Sequence, residues 1–66
     1  MNIILNGQSR PLGSVQTVAE LIRELGYENK RIAIERNGDI VPRSQHASTE
    51  LADGDRLEIV VAVGGG

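Results

Sequence analysis

Sixty-six residues, with seven Lys and Arg against nine Asp and Glu, make one small acidic domain of net charge −2. Nucleic acid is a poor partner for it, because phosphate binding needs a basic face and base stacking needs aromatics, and Tyr27 is the single aromatic among Phe, Tyr and Trp. The chain has no cysteine, which removes disulfide staples, thiolate zinc sites and thiol catalysis together and points to a cytoplasmic protein.

The residues from Met1 to Asn6 show no basic start, long apolar run or cleavage site, so no signal peptide is expected. No apolar stretch approaches the roughly 20 residues that span a bilayer, and no membrane association is expected. A chain this short buries only about 60% of the surface its unfolded form exposes, so modest stability follows. A monomer is expected for the free protein.

Met1 to Asn6 alternates with a period of two, placing Ile3 and Leu5 on one side and Ile4 on the other. Asn6-Gly7 accommodates the positive φ angles of a tight hairpin turn, so a second strand returns over about Gln8 to Leu12. Pro11 cannot donate a ladder hydrogen bond, which puts that strand at a sheet edge.

A helix follows. Thr17 is its N-cap, and Glu20 three positions on completes a reciprocal capping box. Val18, Leu21, Ile22 and Leu25 form one apolar stripe, and Gly26 ends the helix.

Ile32 to Arg36 reads as a third strand, closed by a turn at Asn37-Gly38-Asp39. Ile40-Val41 pairs briefly before Pro42, and residues 43–49 are polar and irregular. Leu51 is a core anchor ahead of the turn Asp53-Gly54-Asp55. The last strand spans Arg56 to Val63, with Leu57, Ile59, Val61 and Val63 on one face and Glu58, Val60 and Ala62 on the other.

One helix covers one face of a sheet and leaves the second open. The order β-β-α-β-β-β predicts an α+β protein of the β-grasp, ubiquitin-like plan. It has a mixed sheet of four to five strands on one main helix, with the last strand parallel to the first. Residues 1–63 are expected to form the domain and 64–66 a flexible glycine tail.

That tail is the one chemically suggestive feature. A carboxyl terminus is ionised near neutrality and is a poor electrophile until another enzyme activates it. Glycines pass through a narrow channel and adopt the backbone angles a foreign active site demands. Three extended residues reach about 10 Å. A frayed terminus or a linker remnant is the competing explanation for Gly64, Gly65 and Gly66.

The segment Asn37 to Arg43, the run Leu51-x-Asp-Gly-Asp-Arg-Leu-Glu-Ile-Val, and the ending Ala62-Val63-Gly-Gly-Gly resemble the ThiS sulfur carrier family of thiamine biosynthesis over the whole chain. The resemblance implies that the chain is not an enzyme. An E1-like adenylyltransferase of the ThiF type, using ATP, would adenylate Gly66. Sulfur from a cysteine desulfurase or related donor would convert it to a thiocarboxylate, which a ThiG-type thiazole synthase would receive. Gly64 and Gly65 would be the threading tail. No tightly bound cofactor is implied. Many members of that family carry tryptophan where His46 stands.

Other readings remain open. A molybdopterin-synthase small subunit uses the same chemistry. A β-grasp interaction module with an idle tail, or a conjugating modifier captured by lysine, uses the same body differently. Asp53 and Asp55 read as turn residues rather than a cation site, since hard cations take roughly six oxygen ligands. No metal site is expected. His46 has no evident catalytic partner, and neither do Ser9, Ser14, Ser44 and Ser48. Arg43 is either a partner contact or a solvated charge, and Lys30 an exposed lysine. If Ile3, Leu5, Leu57, Ile59 and Val61 face the helix, Ile4, Val60 and Ala62 face outward as a patch for docking a partner.

Overall fold

The first hairpin sets the frame. β1 (Asn2–Leu5) and β2 (Gln8–Pro11) pair antiparallel with Leu5 opposite Gln8, so the loop is the two residues Asn6 and Gly7. Both take positive φ, 49° and 82°, as a type I′ turn requires. The computed structural model describes residues 1–62; Val63 and the three glycines lie outside the described residues.

β2 is an edge strand, as Pro11 demanded. Strand pairing ends at Pro11 rather than Leu12, which turns into the core with Val15 while its N–H still donates to the Met1 carbonyl.

Helix α1 (Val18–Glu24) accounts for every free donor of its first turn. The N–H groups of Val18 and Ala19 donate to the carbonyls of Thr49 and His46, and that of Glu20 donates to Thr17 Oγ1. The capping box differs from expectation by one residue: the Glu20 carboxylate accepts from the Gln16 N–H, at 2.6 Å, rather than from Thr17. Residues 16–18 approach the helix in an antiparallel bridge between Thr17 and Glu50, and that bridge sets the direction from which the chain arrives.

Gly26 takes φ 80° and closes the helix in a Schellman motif. Tyr27 N–H donates to the Ile22 carbonyl and Gly26 N–H to that of Arg23. Tyr27 then packs against the core beside Leu25.

β3 (Ile32–Arg36), β4 (Asp39–Ile40) and β5 (Arg56–Val61) complete a five-stranded sheet in the order β2-β1-β5-β3-β4. β5 runs parallel to β1, and the other neighbours are antiparallel. β4 is Asp39–Ile40, one residue earlier than Ile40-Val41; Val41 is buried, and its N–H donates to the Ile34 carbonyl.

The irregular segment holds a single 3-10 turn, Arg43–Gln45, whose following carbonyls cap α1. The core lies between α1 and one sheet face. Ile3, Leu21, Ile34, Leu57 and Val18 are its most deeply buried members, with Leu51 among the rest. Among the described residues, no helix is long and apolar enough to cross a membrane.

Candidate functional site

β5 is the last described strand, and the sequence runs from it into the glycines. It starts at the Asp53-Gly54-Asp55 turn, where Gly54 takes φ 85°. Both carboxylates there serve the fold. Asp53 Oδ1 accepts from the Asn2 N–H at 2.8 Å. Asp55 is buried and accepts from Arg36 Nε at 2.8 Å, Ala52 N–H at 2.9 Å and Asn37 Nδ2 at 3.0 Å. Burial pushes the Asp55 carboxyl up, but the Ala52 N–H, Arg36 and Asn37 together outweigh it and hold the group below its ordinary value. Among the described residues, no group of three or more His, Cys, Asp or Glu is placed to hold a metal ion.

Along β5, Leu57 and Ile59 are buried and Val61 is half-buried, while Arg56, Glu58, Val60 and Ala62 point to the open face. Val60 is 65% exposed, an unusual position for a β-branched side chain at the centre of a sheet. Its cross-strand partner is Ala33 of β3. Ala33, Val60 and Ala62 therefore form the apolar surface nearest the tail. Ile4 does not join it. In the β1–β5 register Ile4 lies beside Arg56, four residues or about 13 Å of strand from Val60. Glu58 intervenes, directly opposite Glu35 on the same open face. Like charges so placed are mildly repulsive.

The two edges of β5 are held differently. β3 follows it along its whole length, and the Ala62 N–H still donates to the Arg31 carbonyl at 2.9 Å. On the other edge β1 accompanies it only briefly. The N–H groups of Ile4 and Asn6 donate to the carbonyls of Asp55 and Leu57, and then the chain turns away at Gly7. The Asn6 side chain continues the pairing alone. Its Oδ1 accepts from the Ile59 N–H at 2.9 Å, and its Nδ2 donates to the Ile59 carbonyl at 3.2 Å. Sequence reasoning assigned Asn6 only to the turn.

His46 is half-buried. Its Nε2 lies 3.1 Å from the Val41 carbonyl. A carbonyl only accepts, so Nε2 carries the proton, and the ring braces the loop that caps α1. Gly64, Gly65 and Gly66, the residues on which the chemical reading rests, lie outside the described residues.

The ThiS family matches residues 3–66. The chain belongs to the ThiS family. It is similar along its full length to the sulfur carrier protein ThiS of Escherichia coli strain K12, 35% identical over 66 residues and covering all of both chains. The crystal structure of the thiamine biosynthesis protein ThiS from Geobacter metallireducens superposes with a TM-score of 0.83 at 29% identity, covering all of both chains. The β-grasp fold of this ThiS-family chain is thus that of a solved relative.

A thiazole synthase from Paramagnetospirillum magneticum is 44% identical over the same 66 residues, but this chain covers 20% of it. The ThiS-family chain spans about a fifth of the length of the thiazole synthases it matches.

Proposed function

We propose that this chain is a sulfur carrier of thiamine (thiazole) biosynthesis, a co-substrate that partner enzymes charge and discharge. Membership of the ThiS family through residue 66 carries the reading, because the match runs through the glycine tail and not only through the folded body. The presence of a similar segment within two thiazole synthases supports a thiazole synthase as the receiver.

In this reading residues 1–63 are the body and 64–66 the delivery arm. The Gly66 carboxylate attacks the α-phosphorus of ATP on a ThiF-type partner and pyrophosphate leaves. A sulfur nucleophile, drawn from a cysteine desulfurase or related donor, then attacks the acyl-adenylate carbonyl. AMP leaves with the carbonyl-to-phosphate oxygen. Because the donor's sulfur is a persulfide, the product is an acyl disulfide. A second thiol on the partner side attacks the donor sulfur, forming a disulfide and releasing the thiocarboxylate. Gly64 and Gly65 thread the partner's channel. Val60 and Ala62, with Ala33 beside them, dock the body outside it, and Ile4 makes a separate contact further along the face. The working protein is a cytoplasmic monomer when free.

Intact-mass spectrometry of the protein isolated from cells tests this. A gain equal to one oxygen replaced by one sulfur, lost when Gly65 and Gly66 are deleted, is the expected result. Covalent ladders on other proteins would identify a modifier instead. Unchanged function after the deletion would identify an interaction module with an idle tail.

A further inference from the structure

Beyond Leu57, β5 would have a backbone neighbour on one edge only. Two-stranded ribbons twist more strongly than wider sheets. A strand end held by β3 alone would therefore swing about its own axis, and everything distal to it would swing too. Ile59 is seven residues from Gly66 in sequence, so a change in twist there alters the direction in which the chain leaves β5.

Asn6 opposes that motion. Its amide presents one acceptor and one donor to the two backbone groups of Ile59, as a residue of a neighbouring strand would. It does so from a type I′ turn whose positive φ of 49° is tolerated by Asn and Gly and by few other residues. Val61 is the next residue of β5 with N–H and C=O on that edge. Among the described residues nothing pairs with either group.

We infer that Asn6 is a positioning residue for the tail: its side chain stands in for the missing strand at Ile59 and fixes the direction in which β5 delivers Gly66. The inference rests on the carrier function proposed above. Asn6 touches no reacting atom. It lowers the spread of tail directions, so it acts on how often a docked carrier presents its carboxylate productively.

The test exploits a matched residue. Asn37 occupies the same position of the second type I′ turn, with φ 52°, and also makes two side-chain bonds: Nδ2 to Asp55 Oδ1 and Oδ1 from the Arg56 N–H. Those bonds lie at the far end of β5. Glycine preserves either turn, so Asn6→Gly and Asn37→Gly each delete two side-chain bonds at opposite ends of β5. The bond from Asn37 to the Asp55 carboxylate makes Asn37→Gly the more demanding control for stability. Both are compared with the wild-type chain in ATP-dependent adenylation by its activating enzyme, at a temperature where all are folded.

Asn6→Gly is expected to lower kcat about fivefold to tenfold, the equivalent of one net hydrogen bond, with KM within about twofold. Asn37→Gly is expected to leave both within about twofold. Asn6→Asp keeps the acceptor for the Ile59 N–H but loses the donor, and kcat falls in the same direction.

Amide hydrogen exchange supplies the readout that general destabilisation would not move. In Asn6→Gly the Ile59 amide exchanges about tenfold faster relative to Val60, whose N–H faces β3. A wild-type chain that is not adenylated would overturn the carrier function itself. A wild-type chain that is adenylated, with Asn6→Gly no slower than Asn37→Gly or with Ile59 and Val60 exchanging in step, would overturn the role of Asn6 alone.

Discussion

Replacing Asp55 by alanine tests how much of this small fold hangs on one buried carboxylate. Asp55 is 6% exposed and receives three N–H donors, one of them the charged Arg36. A net hydrogen bond contributes about 1 kcal/mol, and one involving a charged group about 1.5–3 kcal/mol. The orphaned donors limit the loss. Arg36 is 34% exposed in its side chain, and Ala52 and Asn37 lie at the surface, so water can reach all three. We therefore expect a loss of about 2–3 kcal/mol rather than the larger cost of stranding a deeply buried charge. Against a total of about 3–10 kcal/mol for a domain of this length, that is a large share. It corresponds to a fall in Tm of about 10–20 °C.

The carboxyl is held below its ordinary value in the folded state. Its contribution is therefore present above the unfolded value near 3.9 and is lost as pH falls through the lower folded one. Urea melts of wild type and Asp55→Ala should differ by a constant amount between about pH 5 and 8, and the gap should narrow below about pH 4. A Tm within about 3 °C of wild type, or a gap that widens in acid, would refute the reasoning.

Two further perturbations separate docking from folding. Val60→Asp places a charge in the apolar surface nearest the tail; we expect KM for adenylation to rise about tenfold or more. Stability should drop by less than about 1 kcal/mol, the cost of a poor strand former at an exposed site. Steady-state kinetics with the activating enzyme, read beside a thermal melt, checks both. Thr17→Ala removes the acceptor for the Glu20 N–H; it should cost about 1 kcal/mol, or roughly 4–8 °C in Tm, without altering kcat.

Much of the body was legible because its signals are local. The dipeptides Asn6-Gly7 and Asn37-Gly38 prescribe type I′ turns by backbone sterics alone, and both occur. The apolar stripe of α1 and the alternation of β5 need only their own periods to be read. The misses arise where distant segments intervene. Glu20 bonds Gln16 because residues 16–18 meet residues 49–51, thirty positions away. The polar stretch 43–49 looked featureless because its work is done by backbone carbonyls, which no side-chain pattern advertises. Ile4 and Val60 both face outward as the alternation required, yet they do not adjoin. The distance between them depends on the register of β1 against β5, which a period of two leaves undetermined.

The two asparagines show how one local signal hides different non-local uses. Each earns its place in a turn by tolerating positive φ, and glycine would serve that purpose as well. What glycine lacks is the amide. In both turns that amide reaches β5: Asn37 binds Arg56 at its start, and Asn6 binds Ile59 near its end. β5 is thus gripped by side chains at two points where neighbouring backbone runs out or turns. The grip at its start secures the fold through Asp55. The one at Ile59 meets backbone groups that face away from β3, since Ile34 lies opposite Ile59 without bonding it. Asn6 thus bonds β5 on the edge that β1 has left, at the last described point before the sequence runs on to the glycine tail.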